Sequence, residues 1–223
     1  MRQYHIQPAP TPSTSPICNW ADPFWTPAST GEIAVHRPEG SNHQPRTRFK
    51  LLHSPDGLHG IFIVQDQFVR CVRTGYFSDV WKDSCVEFFV EPKPGAGYLN
   101  FEFSCGGSFL ISHITDPERT PEGFKAFTKL PWDLGRQLVV ASTLPALVDP
   151  EVPEPLEWQL AFYLPFSLLT ARVGPLNIQP GAIWRGNLYK CGDETSHPHW
   201  VSWNEVDELN FHKPGCFGTL LFA

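Results

Sequence analysis

The fold is decided by the run Asp79-Val-Trp-Lys-Asp-Ser-Cys-Val-Glu-Phe-Phe-Val-Glu91, followed by Tyr98-Leu-Asn-Phe-Glu-Phe-Ser104. Both runs alternate with the period of two that half-buried β-strands show. The residues that share the apolar faces are Val86, Phe88, Val90, Leu99, Phe101 and Phe103. Residues 92–97, which are rich in Pro and Gly, separate the runs. The spacing therefore predicts an antiparallel hairpin.

The opposite face of this hairpin carries polar side chains. If the apolar faces meet the core, Glu87, Tyr98, Asn100 and Glu102 line up on one outer surface, with Trp81 at its edge. Carboxylates, an amide and a phenol suit a neutral polyhydroxylated ligand better than an anion. This pattern is typical of a sugar-binding surface.

The composition favours one large all-β domain and argues against several partners. The chain has 223 residues, 23 Pro and 17 Gly, which leaves little room for long helices. A formal net charge of -6 and the lack of a basic stripe argue against nucleic acid as a partner. No run of 18 apolar residues occurs, so we expect no membrane span.

The N-terminus and the cysteines bear on domain organisation and compartment. Residues 1–16 are rich in Pro, Ser and Thr, so we expect a flexible segment there and a single domain over residues 17–223. No apolar leader is visible, which favours the cytoplasm unless a leader was removed. The six cysteines include no CxxC pair and predict reduced, buried thiols. Cys85 and Cys105 fall on opposite strand faces, so we expect no disulfide between them.

Strand signals recur at short spacing along the rest of the chain, as in an antiparallel sandwich or barrel. The candidate strands are residues 32–36, 47–53, 58–66, 85–91, 98–104, 108–113, 124–129, 137–144, 157–164, 183–191 and 217–222. The one helical candidate is residues 165–170. We therefore predict few short helices.

Two later strands repeat the pattern of the hairpin. Glu157, Gln159 and Tyr163 share one face of their strand, and Arg185 and Asn187 share a face of theirs. A solvated outer sheet is the alternative, because antiparallel sheets usually have one wet face. The bias toward Tyr, Asn, Arg and Trp favours a binding face.

Several pieces of this sequence together resemble the family 9 carbohydrate-binding modules, and more closely the stand-alone family 9-like proteins of bacteria. The matching pieces are the two opening runs, Phe162-Tyr-Leu-Pro-Phe166, Trp184-Arg-Gly-Asn-Leu-Tyr-Lys-Cys-Gly-Asp193, Pro198-His-Trp-Val-Ser-Trp203 and Phe211-His-Lys-Pro-Gly-Cys-Phe-Gly-Thr-Leu220. The resemblance implies an antiparallel β-sandwich of two sheets, jelly-roll-like and related to the DOMON fold. It also implies non-catalytic carbohydrate binding linked to carbohydrate catabolism. In the modules attached to xylanases, two Trp side chains clamp a terminal glucose unit and calcium supports the loops.

The resemblance also implies which residues contact the ligand. Trp81 lies where one clamp Trp belongs, and a flat indole offers apolar area to the C–H face of a sugar ring. Trp200 and Trp203 both fit the second clamp position, and we choose Trp203. The polar residues expected to hold hydroxyl groups are Glu87, Asn100, Glu102, Arg185 and Asn187. Each of these residues has a purely structural role as its alternative.

Calcium requires six to eight oxygen ligands, many of them from loop carboxylates. Asp79 and Asp83 precede the first strand of the hairpin and are the candidate ligands. The alternative is that both are solvated acidic residues of a loop. His197 and His199 have poor spacing for zinc and no evident third ligand. We expect no zinc there.

Three other functions compete with sugar binding. Glu87 and Glu102 on neighbouring strands would suit a glycoside hydrolase if their carboxyl groups lay about 5 Å apart, as in retaining enzymes. We predict no catalytic residue, because the pattern shows no deep loop-built cleft. A structural or protein-interaction sandwich is the second alternative. The third, haem held between Met and His, is disfavoured because Met1 is the sole methionine. The sequence predicts neither the identity of the sugar nor the oligomeric state.

Overall fold

In the computed structural model, which describes residues 1–121 and 123–223, the two opening runs form neighbouring antiparallel strands. Glu87 lies opposite Glu102 and Phe88 opposite Phe101, so the register is the one that aligns the two apolar faces. Strands make up 45% of the structure and helices 9%. The prediction of an all-β sandwich with few short helices is confirmed.

The described part of the chain contains sixteen β-strands and two α-helices. The strands are β1 (Gln3–Pro8), β2 (Gly31–Ile33), β3 (Val35–His36), β4 (Arg46–His53), β5 (Gly57–Asp66), β6 (Val69–Cys71), β7 (Cys85–Glu91), β8 (Tyr98–Ser104), β9 (Phe109–Thr120), β10 (Gly123–Lys129), β11 (Val139–Ser142), β12 (Val148–Val152), β13 (Leu156–Pro165), β14 (Ile183–Cys191), β15 (Trp200–Ser202) and β16 (Gly218–Phe222). The helices are α1 (Trp132–Gly135) and α2 (Phe166–Val173). Neither of these described helices is long and apolar enough to cross a membrane.

Two sheets form the sandwich, and we call them the pocket sheet and the back sheet. The pocket sheet has the order β10-β9-β8-β7-β14-β16, with β15 beside β14, and the back sheet has the order β4-β5-β13-β11, with β2 beside β4. Strand β1 joins them, because its first four residues pair in parallel with β16 and its last two residues pair with β4. The short strands β6 and β12 pair with each other apart from both sheets.

The main core lies between the two sheets and is rich in aromatic side chains. Phe162 of β13 stacks on Phe103 of β8, with ring centroids 5.3 Å apart, and on Phe88 of β7, at 5.9 Å. These contacts unite both runs of the hairpin with the back sheet. Burial of such rings is the dominant contribution to the stability of the fold.

The outer face of the pocket sheet is also covered, which the strand pattern did not predict. A second apolar cluster includes Phe89, Tyr98, Tyr189, Phe211 and Phe217. Residues 204–217 form part of the cover, and Phe211 stacks on Tyr189 with ring centroids 4.0 Å apart. The polar residues of this face therefore lie beneath loops and not on an open surface.

The expectation of a flexible segment over residues 1–16 fails for β1. Tyr4 and Ile6 alternate with exposed neighbours and are buried in the core. The Tyr4 hydroxyl donates to the Ser29 carbonyl at 2.6 Å and accepts from the Leu51 amide at 2.9 Å. Only the Pro, Ser and Thr residues after Pro8 resemble the expected extended segment.

Candidate functional site

A cavity of about 790 Å³ opens on the outer face of the pocket sheet. Its floor comes from β7, β8 and β9, and its walls come from β10 and from the loops around residues 77–81, 193 and 208–212. The predicted residues Trp81, Glu87, Asn100 and Glu102 all line this cavity. The alternation along the hairpin explains this, since the three polar residues share one face of two paired strands.

Two buried carboxyl groups form the floor. Glu87 is 3% exposed and Glu102 is 5% exposed, and they occupy directly opposed positions on β7 and β8. Oε1 of Glu87 accepts a hydrogen bond from the Cys191 thiol at 3.2 Å. Oε1 of Glu102 accepts from Nδ2 of Asn100 at 2.6 Å, and Oε2 of Glu102 is buried without a partner among the described residues. One floor oxygen thus remains for a ligand to satisfy.

Burial changes the ionisation of these floor groups. It raises the pKa of Glu102 to about 7, and the pKa of Glu87 is raised by burial and by the neighbouring Cys191 and Glu102. Burial also raises the pKa of Asp193 to about 6, although the hydrogen bond from Trp200 lowers it. Carboxyl groups that titrate near neutrality donate as well as accept hydrogen bonds, which suits hydroxyl ligands.

Two partly buried indoles face the cavity from its walls. Trp81 lies on the single turn Val80–Lys82 that precedes β7, and Trp200 begins β15. The Trp200 Nε1–H donates to Oδ1 of Asp193 at 2.8 Å, and the Asp193 amide donates to the Trp81 carbonyl at 3.3 Å. Asp193 therefore links the positions of both indoles.

Phe124 and Phe211 add further apolar wall. The Arg119 guanidinium lies 4.0 Å above the Phe124 ring, and Phe124 also packs on His212, with ring centroids 4.4 Å apart. These side chains come from β9, β10 and the loop before β16. Aromatic walls above a polar floor are the usual build of a small-molecule pocket.

Three residues predicted to contact the ligand do not line the cavity, namely Arg185, Asn187 and Trp203. Arg185 donates from Nη2 to the carbonyls of Pro214 and Phe217, at 2.8 and 3.2 Å. Asn187 is buried beneath the same loop and donates to the Asn204 carbonyl at 2.9 Å. Both residues share the pocket-facing side of β14, but residues 204–217 contact them there, and on this strand the cavity lining includes Cys191 instead.

Trp203 belongs to the core and not to the cavity. Its side chain is 3% exposed and packs edge-on against Phe49, with ring centroids 5.8 Å apart. Trp200, the alternative second clamp, lines the cavity instead. The chain turns out of β15 between these two residues, and a sequence pattern of aromatic residues does not show which one turns outward.

The two candidate calcium ligands do not form a calcium site. Asp83 is buried, and its Oδ2 accepts from the amides of Val72 and Arg73 while its Oδ1 accepts from the Arg73 guanidinium. Asp79 lines the cavity and lies 3.3 Å from the Lys82 ammonium. Calcium needs several uncommitted oxygens around one point, and these carboxylates do not fit it.

Sequence reasoning missed Arg119, Phe124, Asp193 and Phe211 as cavity residues. Asp193 and Phe211 lie inside pieces that carried the family resemblance, but no alternation marks them because they are in loops. Arg119 lies near the end of β9, which runs beyond its pairing with β8 to pair with β10. The length of β9 was the missing signal, since the candidate strand stopped at residue 113.

Comparisons with known proteins identify the family and support the fold. Residues 28–222 match the family model described as carbohydrate-binding family 9. None of the curated protein sequences compared with the chain matches it. A solved structure of a presumed carbohydrate-binding protein from Bacteroides uniformis is 26% identical, with a TM-score of 0.86, and the match covers 100% of this chain and 99% of the other.

Two more distant structures share the fold. Both are family 9 carbohydrate-binding modules from Caldicellulosiruptor kristjanssonii, one in complex with cellotriose and one with glucose. The first is 12% identical with a TM-score of 0.63, covering 99% of this chain and 93% of the module. The second is 11% identical with a TM-score of 0.61, covering 100% and 96%. The predicted resemblance is confirmed.

Proposed function

The chain belongs to carbohydrate-binding family 9, and from this membership we propose that its cavity binds a neutral mono- or oligosaccharide without cleaving it. The observation that carries the proposal is the buried, unpartnered Oε2 of Glu102 beneath aromatic walls. A sugar hydroxyl would satisfy this atom, while the indoles of Trp81 and Trp200 offer flat apolar area to the ring. A role in carbohydrate catabolism is part of the same proposal.

The size and charge of the cavity support a neutral ligand. Its volume of about 790 Å³ lies in the usual range for small-molecule sites, about 300–1,000 Å³. Glu87, Glu102 and Asp193 place three acidic groups around the cavity, and burial already disfavours their charged forms, so the carboxylate of a uronic acid would add to the cost of ionising them. The complexes of the C. kristjanssonii modules with glucose and cellotriose support neutral glucose units as the first ligands to test.

The same geometry disfavours a glycoside hydrolase. Glu87 and Glu102 occupy directly opposed positions on one face of two paired strands, so both carboxyl groups approach a ligand from the same side. Glycosidase carboxyl groups flank the scissile bond. In addition, Glu102 is held by Asn100 and Glu87 by Cys191, which suits fixed hydrogen-bonding groups better than a nucleophile and its acid.

A calorimetric screen tests the proposal. The reduced protein is titrated with glucose, xylose, cellobiose, cellotriose and glucuronic acid, and with each again after the change Glu102→Gln. We expect at least one neutral sugar to bind with a Kd on the order of micromolar to millimolar, and glucuronic acid to bind more weakly. Since few hydrogen bonds replace contacts already made with water, higher affinity is not expected. Failure of every neutral sugar to bind would favour a structural or interaction role.

The Glu102→Gln variant locates the binding. The amide keeps the shape of the carboxyl group and its hydrogen bond to Asn100, but it changes the donor and acceptor at Oε2. We expect a loss of about 1–2 kcal/mol, roughly tenfold in Kd. Glu157→Gln on the exposed part of β13 is a matched control and should leave the Kd unchanged.

A further inference from the structure

Two thiols and a carboxyl group meet beneath the cavity floor. Cys85 and Cys191 are directly opposed on β7 and β14, and Glu87 lies two residues from Cys85 on the same strand face. The Sγ atoms and a Glu87 carboxyl oxygen all lie within 4.8 Å of one another, and Cys191 Sγ is 3.2 Å from Glu87 Oε1. All three residues are buried.

Lys190 is a positive group that acts on the two thiols, but its ammonium is already paired with Asp66 and hydrogen-bonded to His199. The ionisable groups that act most strongly on Glu87 are Cys191, Glu102 and Asp193, all of them acidic. Within residues 1–121 and 123–223, no Lys, Arg or His forms an ion pair with Glu87. Such groups remain buried either with their protons or with a cation.

A second cluster in the same protein shows the contrasting arrangement. His43, Asp66 and His199 also come together, but the buried Lys190 ammonium lies among them. Its Nζ is 3.3 Å from Asp66 Oδ2 and 2.7 Å from His199 Nε2. In that cluster a side chain occupies the place that a metal ion would take.

We propose that Cys85, Cys191 and Glu87 form a zinc-binding site at the floor of the cavity. In a tetrahedral zinc site, thiolate and carboxylate ligand atoms lie about 3.5–3.8 Å apart, from bonds of about 2.3 and 2.0–2.2 Å. The ligand atoms of the cluster have separations close to these, with 3.2 Å between Cys191 Sγ and Glu87 Oε1 and the rest within 4.8 Å. Binding displaces the thiol protons of Cys85 and Cys191 and the proton that the buried Glu87 carries, all of which pass to solvent, and forms two Zn–S bonds and one Zn–O bond.

The fourth ligand position faces the cavity, because Glu87 and Cys191 both line it while Cys85 lies behind them. Solvent or a ligand in the cavity completes the tetrahedron, as in zinc sites that keep one open position. Two sulfur ligands select zinc over calcium, since calcium binds oxygen. The three protein ligands are in place whether or not a sugar binds in the cavity.

Cobalt titration of the reduced wild-type protein tests the site. Co²⁺ replaces Zn²⁺ at tetrahedral sites and is coloured, whereas Zn²⁺ is not. We expect one Co²⁺ per chain, with an intense near-ultraviolet thiolate-to-cobalt band and the visible bands of tetrahedral Co²⁺. Added Zn²⁺ should abolish both, and added Ca²⁺ should leave both unchanged. Absence of the thiolate band in the reduced wild type would overturn the proposal without reference to any variant.

Three variants then place the metal. Cys85→Ala with Cys191→Ala should remove the thiolate band, and Glu87→Gln should weaken Zn²⁺ binding by more than about 100-fold, beyond what outer-shell changes cost. Cys71→Ala with Cys105→Ala is the matched control, because these buried thiols also contact each other. It should leave the spectrum unchanged. A band that survives loss of Cys85 and Cys191, or that vanishes in the control, would refute the assignment.

Discussion

Replacing Trp200 and Trp203 separately by Ala should separate ligand affinity from stability. The two residues are three positions apart, and the sequence alone allows either to stack on a sugar. In the structure Trp200 lines the cavity, whereas Trp203 packs in the core against Phe49. We expect Trp200→Ala to weaken sugar binding and Trp203→Ala to weaken folding.

The loss of affinity follows from the apolar area that Trp200 presents. An indole that stacks one face on a sugar ring buries roughly 60 Å², about a third of what a fully buried aromatic ring buries. At about 25 cal/mol per Å², this contributes about 1.5 kcal/mol, or roughly tenfold in Kd. The free energy of unfolding should fall by only about 1 kcal/mol, mainly through the lost hydrogen bond to Asp193.

The loss of stability follows from the burial of Trp203. Removing a fully packed Trp costs about 3–5 kcal/mol, because the transferred area and the cavity left behind both contribute. In a domain of this size that corresponds to a fall in Tm of about 10 °C. Protein that remains folded should bind sugar with an unchanged Kd.

Calorimetric titration and thermal unfolding are measured on both variants and on Trp132→Ala. Trp132 is 54% exposed and lies outside the cavity, so it controls for the loss of an indole as such. It should change neither quantity strongly. These two roles would be wrong if Trp203→Ala lost affinity at full stability, or if Trp200→Ala lowered stability strongly while folded protein kept its affinity.

Three further outcomes follow from buried groups. Burial raises the pKa of Glu102 to about 7 from 4.5, so the native state holds this proton more tightly than the unfolded state. Stability should therefore fall as the pH rises from about 4.5 to 7. In thermal melts, Glu102→Gln should reduce this dependence of stability on pH. Lys190→Met leaves the Asp66 carboxylate buried without its ammonium, so urea unfolding should show a loss of about 3–5 kcal/mol, and a loss below 1 kcal/mol would contradict the ion pair. Deleting residues 1–8 removes β1 and its buried side chains, so the Tm should fall by more than about 10 °C, whereas a flexible segment would leave it unchanged.

Period-two alternation predicted the hairpin and the side chains that it orients. Glu87, Asn100 and Glu102 reach the cavity because strand geometry fixes which face each residue occupies. Alternation does not report what covers a face. Arg185 and Asn187 satisfy the same pattern on β14, yet residues 204–217 fold over them. That loop has no periodicity of its own.

Pairing between strands that are far apart in the sequence could not be predicted either. Strand β1 is short and lies among Pro, Ser and Thr residues, so its composition resembles a tail. Its place between the sheets depends on parallel pairing with β16, more than 200 residues later in the chain. Asp83 is similar, because its commitment to Arg73 depends on how the chain returns beside β6 and not on local sequence.

The most direct test of the sugar site is a nuclear magnetic resonance titration that follows the indole N–H signals of the eight Trp residues. The signals are assigned from single Trp variants, and the protein is titrated with glucose, xylose, cellobiose and cellotriose. We expect saturable shifts of the Trp81 and Trp200 signals with at least one sugar, while the core signal of Trp203 and the distant signal of Trp132 stay in place. A sugar site in this cavity would be contradicted if no sugar moved Trp81 or Trp200, or if the saturable shifts appeared at Trp203 or Trp132 instead.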